Sequence, residues 1–109
     1  MAFQTDIKTS EEFKKEVMDT PGTLHVVELY QGWAGPCKAI FNTFKRIFFD
    51  AGDKPLKFYT LNVDSVGEGF EEYKGSCQPV FLFYKDGEVK EKVVGVQAPA
   101  LSKHIAAMC

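Results

Sequence analysis

The stretch richest in chemistry is Trp33-Ala34-Gly35-Pro36-Cys37-Lys38. It follows an apolar run, Leu24-His25-Val26-Val27-Glu28-Leu29-Tyr30, and leads into a helical pattern that opens at Cys37. A cysteine in the first turn of a helix faces unpaired N–H groups and the positive end of the helix dipole. Both favour the thiolate, which is the nucleophilic and redox-active form. A dithiol pair at this spacing needs a second cysteine at position 34, where alanine stands. The chain therefore carries the frame of a dithiol redox site with one thiol missing. Glu28 is the second residue with chemical potential, because a carboxylate in so apolar a strand is costly unless paired or protonated. Either it lies at an edge and reaches solvent, or it is buried behind Cys37 with a pKa raised by desolvation. The buried reading is the preferred one.

The remaining candidates are sparser. Cys77 lies in the turn Gly75-Ser76-Cys77-Gln78-Pro79, and Cys109 is the last residue. Each of the three thiols has a bland reading: Cys37 as an inert, buried small residue, Cys77 as a bystander, Cys109 as a source of artefactual dimers at a mobile terminus. Disulfide-linked dimers through Cys77 or Cys109 are the alternative. Trp33, just before a helix turn, reads as a surface platform. His25 and His104 lack the Cys/His spacing of a metal site, so no metal is expected. No Gly-rich phosphate loop is present, and no organic cofactor is expected.

Composition narrows the partners. The chain has 109 residues, 45% of them hydrophobic and ten of them Phe, which suits one domain, 1–109, with a well-filled core. The formal net charge is −2 with no basic run, so nucleic acid and anionic membrane are poor partners. No apolar stretch approaches the roughly 20 residues that span a bilayer. An odd number of cysteines without a signal-peptide pattern points to a reducing compartment: the cytoplasm in its broad sense, cilium included.

The elements that must position these residues follow from periodicity. Residues 3–7 read as a first strand. Thr9 caps a helix from Ser10 to about Asp19, with Glu12 as its capping-box partner. Its apolar face is Phe13, Val17 and Met18, and Pro21-Gly22 stops it. Residues 24–30 form a central strand covered on both faces. The helix from Cys37 presents Ile40, Phe41, Phe44, Ile47 and Phe48 on one face, widened by Phe49. Gly52 ends it. Residues 57–63 form an inner strand and Gly69–Tyr73 a short helix. Val80–Tyr84 and Glu88–Val94 are strands joined by a Lys85-Asp86-Gly87-Glu88 hairpin. Gly95 breaks the second strand, and Pro99 opens a last helix to Met108 through Leu101 and Ile105. The order β-α-β-α-β-α-β-β-α implies an α/β fold with a mixed central sheet of about five strands and helices on both faces.

With these residues in place, the chain resembles the thioredoxin family over essentially its whole length. The family motif Trp-Cys-Gly-Pro-Cys-Lys stands here as Trp33-Ala34-Gly35-Pro36-Cys37-Lys38. Glu28 takes the place of the family's buried acid, and Pro79 that of its cis-proline. Phe83-Tyr84-Lys85-Asp86-Gly87 matches the Phe-Phe-Lys-x-Gly turn, and Gly95 the glycine of the substrate surface. Asn42 stands where a proline often kinks the helix, which implies a straighter one. The resemblance implies a thioredoxin fold. It implies that position 34 holds the nucleophile, that Cys37 is the resolving thiol and that Glu28 shuttles a proton to or from its sulfur. Trp33, Gly35, Pro36, Cys77, Gln78, Pro79 and Gly95 then form the substrate or partner surface. Because the dithiol cycle needs both sulfurs, a chain with Ala34 is not a competent reductase. Ala34 is either native or the replacement of a native cysteine.

A narrower resemblance lies in Val-Val-Glu-Leu-Tyr-Gln-Gly-Trp and Ser-Cys-Gln-Pro-Val-Phe-Leu-Phe-Tyr-Lys. These stretches are similar to the thioredoxin-like light chains of ciliary outer-arm dynein and to thioredoxin modules fused to nucleoside diphosphate kinase domains. The implied role is an axonemal binding or redox-sensing light chain, with dynein heavy or intermediate chains as partners. The alternative is a thiol-disulfide oxidoreductase with cysteine natively at position 34.

Overall fold

In the computed structural model, β1 (Gln4–Ile7) leads into α1 (Ser10–Phe13), which runs on as a π-helical turn over Lys14–Met18. Then come β2 (Leu24–Tyr30), α2 (Lys38–Ala51), β3 (Leu56–Asn62), β4 (Val80–Lys85), β5 (Glu88–Val94) and α3 (Ala98–Met108). The structure describes residues 4–31, 38–52, 54–64, 66, 70, 73, 79–95 and 97–108. The expected helix over Gly69–Tyr73 falls largely outside them. Among the described residues one turn remains of it, in which the Tyr73 N–H donates to the Phe70 carbonyl at 3.0 Å.

The five strands form one sheet in the order β1-β3-β2-β4-β5. β1 and β2 both run parallel to β3, while β4 is antiparallel to β2 and to β5. Helical crossovers permit the parallel pairs, and a tight hairpin joins the antiparallel pair β4–β5. The hairpin chemistry is legible in its dihedrals: Asp86 has φ 54° and Gly87 φ 79°. Two successive left-handed residues make the type I′ turn that suits strand twist. The Asp86 carboxylate also accepts from the Gly22 N–H at 2.8 Å, which ties this turn to the loop before β2.

β2 is the middle strand, and Leu24 through Leu29 are all buried. Its side chains alternate between two cores. On the face covered by α2 and α3, Val26 packs with Phe44, Phe58, Phe81, Phe83 and Ile105. Here the Phe44 ring lies 4.8 Å from Phe58 and meets Phe81 edge-on at 5.5 Å. On the opposite face Val27 and Leu29 join Val17, Leu61, Leu82 and Tyr84. Phe13 closes this second core, edge-on to both Phe70 and Tyr84. Helices thus cover both faces, as the element order requires.

Three local expectations are corrected. The first helix changes to π-helical spacing after Phe13, with the Asp19 N–H reaching the Lys14 carbonyl at 2.9 Å. Its capping box is displaced. Thr9 Oγ1 accepts from the Glu12 N–H at 3.1 Å as expected, but Glu12 Oε1 accepts from Lys8 N–H at 2.7 Å, one residue before the cap. On α2, Phe49 is 61% exposed and Phe41 40% exposed, so neither belongs to the buried face. At 3.6 residues per turn Phe49 stands about 140° around the helix from Phe44.

Candidate functional site

Trp33, Ala34, Gly35, Pro36, Cys37, Cys77, Gln78 and Cys109 lie outside the described residues. So does the Gln78–Pro79 peptide bond, on which the expected cis-proline depends. What the structure describes is the frame that carries them. β2 ends at Tyr30, three residues before Trp33, and α2 begins at Lys38, the last residue of the motif.

Strand register brings the rest of the frame together. Leu29 pairs with Val80, and Val80 pairs with Val94. One step further along the same ladders stand Tyr30, Pro79 and Gly95, side by side at the end of three adjacent strands. The Gly95 N–H donates to the Pro79 carbonyl at 2.8 Å. Gly95 is buried and has φ 86°, a conformation that excludes most side chains. Past it, Gln97 Nε2 donates to the Val94 carbonyl at 2.7 Å. The sequence-derived surface residues Pro79 and Gly95 therefore meet, next to the strand end that delivers the motif.

Glu28 lies two residues, about 6.6 Å, below that end. It is 1% exposed, which removes the reading that it reaches solvent at an edge. Its neighbours in register are Thr60 on β3 and Phe81 on β4. Alternation places it on the face covered by α2, the helix that follows Cys37. A carboxyl here can hold or move a proton in a place with little water.

A polar cluster extends from Glu28 toward the β1 edge. Thr60 pairs with Asp6 in the β1–β3 ladder. Asp6 Oδ1 accepts from Thr60 Oγ1 at 2.9 Å and from the Tyr30 hydroxyl at 3.1 Å. The Tyr30 hydroxyl is pushed up to about 12, first by burial, then by the Asp6 charge and hydrogen bond, with Glu28 adding to them. Asp6, Thr60 and Tyr30 are residues that sequence reasoning passed over as site components. Their one signal is parity: with Glu28 they share a face once the strand order is known. A second fastening is Gln31, 6% exposed, whose Nε2 donates to the Tyr73 carbonyl at 2.7 Å. It holds the chain two residues before Trp33 against the segment that leads into β4.

His25 is at the far end of β2 and takes no part. Its ring is fully buried, with Nε2 3.1 Å from the Thr20 carbonyl oxygen and Nδ1 without a partner. Among the described residues no group of three His, Cys, Asp or Glu side chains could hold a metal ion. Among the described residues no helix is long and apolar enough to cross a membrane.

Comparison with known proteins gives a consistent answer. The family model described as Thioredoxin matches residues 4–107. The chain is 50% identical over 103 residues to the dynein 14 kDa light chain of the flagellar outer arm of Chlamydomonas reinhardtii, covering 94% of this chain and 79% of that one. It is 39% identical over 105 residues to thioredoxin domain-containing protein 6 of Homo sapiens, covering 96% of this chain but only 31% of that protein. Among solved structures it is similar to Schistosoma mansoni thioredoxin, with 25% identity, a TM-score of 0.78 and coverage of 97% and 95% of the two chains.

Proposed function

The chain belongs to the thioredoxin family, and from that premise we propose that it is a thioredoxin-fold light chain of an axonemal outer-arm dynein, a binding module whose dithiol chemistry is switched off. The observation that carries this reading is the identity of 50% with a flagellar outer-arm dynein light chain. Ala34 supports it from the sequence side, because no mixed disulfide can form at a residue without sulfur. In this reading the surface around Trp33, Ala34, Gly35, Pro36, Cys77, Gln78, Pro79 and Gly95 docks on a dynein heavy or intermediate chain. Cys37 and Cys77 remain able to report oxidation by changing that contact.

The second reading, a disulfide reductase whose nucleophile has been replaced, is favoured by one observation: Glu28 is still buried beneath the motif frame. With cysteine at position 34, its thiolate attacks a target disulfide and expels one target thiolate. The Cys37 thiolate then attacks the mixed disulfide, forming the 34–37 disulfide and freeing the second target thiol. Glu28 accepts the Cys37 proton on the way. An external dithiol must then re-reduce the 34–37 disulfide for turnover.

The test is an intact-mass measurement of the endogenous protein recovered with its partners. Alanine at position 34 together with co-purifying dynein chains is the expected result. A mass corresponding to cysteine, with insulin-type reduction by an Ala34→Cys variant, establishes the reductase reading instead.

A further inference from the structure

We propose that the solvent-facing side of α2 is a second docking surface, built for an acidic amphipathic helix of a partner protein. Large hydrophobic residues exposed among those described are Phe41, Phe49, Val89 and Val94. Val94 borders Pro79 and Gly95, and Val89 is on the hairpin. Phe41 and Phe49 share one helix, eight residues and about 12 Å apart, with Lys45 midway between them. Positions 41, 45 and 49 form a single ridge of α2, and Arg46 stands beside it.

Helix faces of this kind bind by ridges meeting grooves, and a straight ridge of this length suits another helix carrying apolar side chains at i, i+4 and i+7. The charge of the ridge selects that helix. The whole chain has net charge −2, yet Lys45 and Arg46 are exposed on this side, and among the described residues neither enters a salt bridge. Asp50, at the end of α2, is the one acid near them on the helix. An arginine and a lysine between two aromatic anchors complement carboxylates flanking an apolar stripe. One anchor is also pre-set: Phe49 meets Phe48 edge-on at 5.5 Å, and Phe48 meets the core ring of Phe58 at 6.2 Å. Rigid aromatics beside an arginine are the residue types that concentrate binding energy. This surface needs nothing from the motif, so it goes beyond the reading of the motif surface.

The test uses the whole protein and three synthetic helical peptides of equal length, with leucine at i, i+4 and i+7. One carries glutamate at the flanking positions, one lysine, and the third carries glutamate with its leucines replaced by serine. Binding is read from amide chemical shifts and anisotropy titrations. The acidic, leucine-bearing peptide should bind and should move the signals of residues 42, 45, 46 and 49. The double variant Lys45→Glu/Arg46→Glu should weaken it by about tenfold or more, and Phe49→Ser should weaken it similarly. The Ala34→Cys variant should bind the peptide as the parent does, which separates this surface from the motif surface. Equal binding of all three peptides overturns the proposal, as does insensitivity to the charge reversal. Self-association of the chain that Phe49→Ser abolishes overturns it too, because the occupant is then a second copy.

Discussion

Glu28 and His25 lie on one strand and are both buried, yet alternation turns them to opposite faces of the sheet. Glu28 faces the motif frame with 1% exposure, in the middle of a sheet. Burying a carboxylate costs more than its local bonds return in many proteins, so an apolar side chain of similar size is a gain in stability. Glu28→Leu removes that desolvation cost and should therefore raise the urea midpoint of unfolding. In the proposed light-chain reading the fold is needed and the proton is not, so the same variant should dock on its partner unchanged. In the reductase form it should slow disulfide reduction. His25 makes a different prediction. Burial pushes its pKa below the ordinary 6.5; the bond to the Thr20 carbonyl opposes this, Lys57 adds to the lowering and Glu16 counters it. The folded chain keeps the ring neutral while the unfolded chain takes up a proton near pH 6.5. Stability is thus fully present above that pH and is lost as pH falls, by up to about 1.4 kcal/mol per pH unit. An added proton at Nδ1 finds no acceptor, since that nitrogen has no partner. Urea midpoints taken from about pH 7.5 to about pH 5.5 should fall for the parent and fall less for His25→Gln.

Elements differ in how much of their geometry a local pattern can carry. β2, β4 and β5 were legible because unbroken or alternating apolar runs bounded by turn residues leave little choice of ends. The Asp86-Gly87 hairpin was legible for the same local reason. Helix faces were less so: Phe41 and Phe49 look like core residues by composition, and only the rotation of α2 against the sheet sends them to solvent. The π-helical turn of Lys14–Met18 left no sequence mark, since it depends on how Val17 and Phe13 seat against the second core. The Asp6–Thr60–Tyr30 cluster was invisible for a topological reason. β1 and β2 flank β3 only in the folded order, and nothing local announces that Asp6 will meet Tyr30. Burial of Glu28, by contrast, followed from the strand that holds it. At this scale two glycines make a matched pair. Gly22 and Gly87 have nearly the same φ, 78° and 79°. A Cβ on Gly22 meets nothing within 4 Å, whereas one on Gly87 lies 3.3 Å from the Met18 carbonyl oxygen. Both alanine variants bear the backbone strain of a left-handed residue, about 1 kcal/mol. Gly87→Ala must also push a backbone oxygen away. Its melting temperature should therefore fall further than that of Gly22→Ala, and equal losses would show that the Met18 carbonyl yields freely. The Thr9 cap offers a smaller, independent check. Thr9→Ala removes the acceptor of the Glu12 N–H and should cost about 1 kcal/mol, read by the same melts.

The molecule as a whole is two cores divided by one sheet, and the division decides how it can come apart. Val26 and Phe81 belong to the core under α2 and α3, while their strand neighbours Val27 and Leu82 belong to the other. Successive residues of β2 and β4 thus bind the two halves through the same backbone ladder. Neither core can open without stripping apolar cover from strands that the other needs. Truncations on opposite faces should then act on one transition. Phe44 is fully buried between Phe58 and Phe81, and Phe44→Ala should cost about 3–5 kcal/mol. Leu82 is 2% exposed on the other face, and Leu82→Ala should cost about 2–5 kcal/mol. In each variant far-ultraviolet circular dichroism and the near-ultraviolet aromatic signal should be lost together, at one lowered urea midpoint with an unchanged slope. Two separated transitions in the Leu82→Ala chain would mean that α1 and its π-helical turn detach while α2 and α3 stay packed. That outcome would also bear on docking, because the strand ends at Tyr30, Pro79 and Gly95 belong to the sheet shared by both cores. A chain whose sheet melts as one unit presents those strand ends either intact or not at all. The α2 ridge, set on the Phe48 and Phe58 rings, would be lost in the same transition.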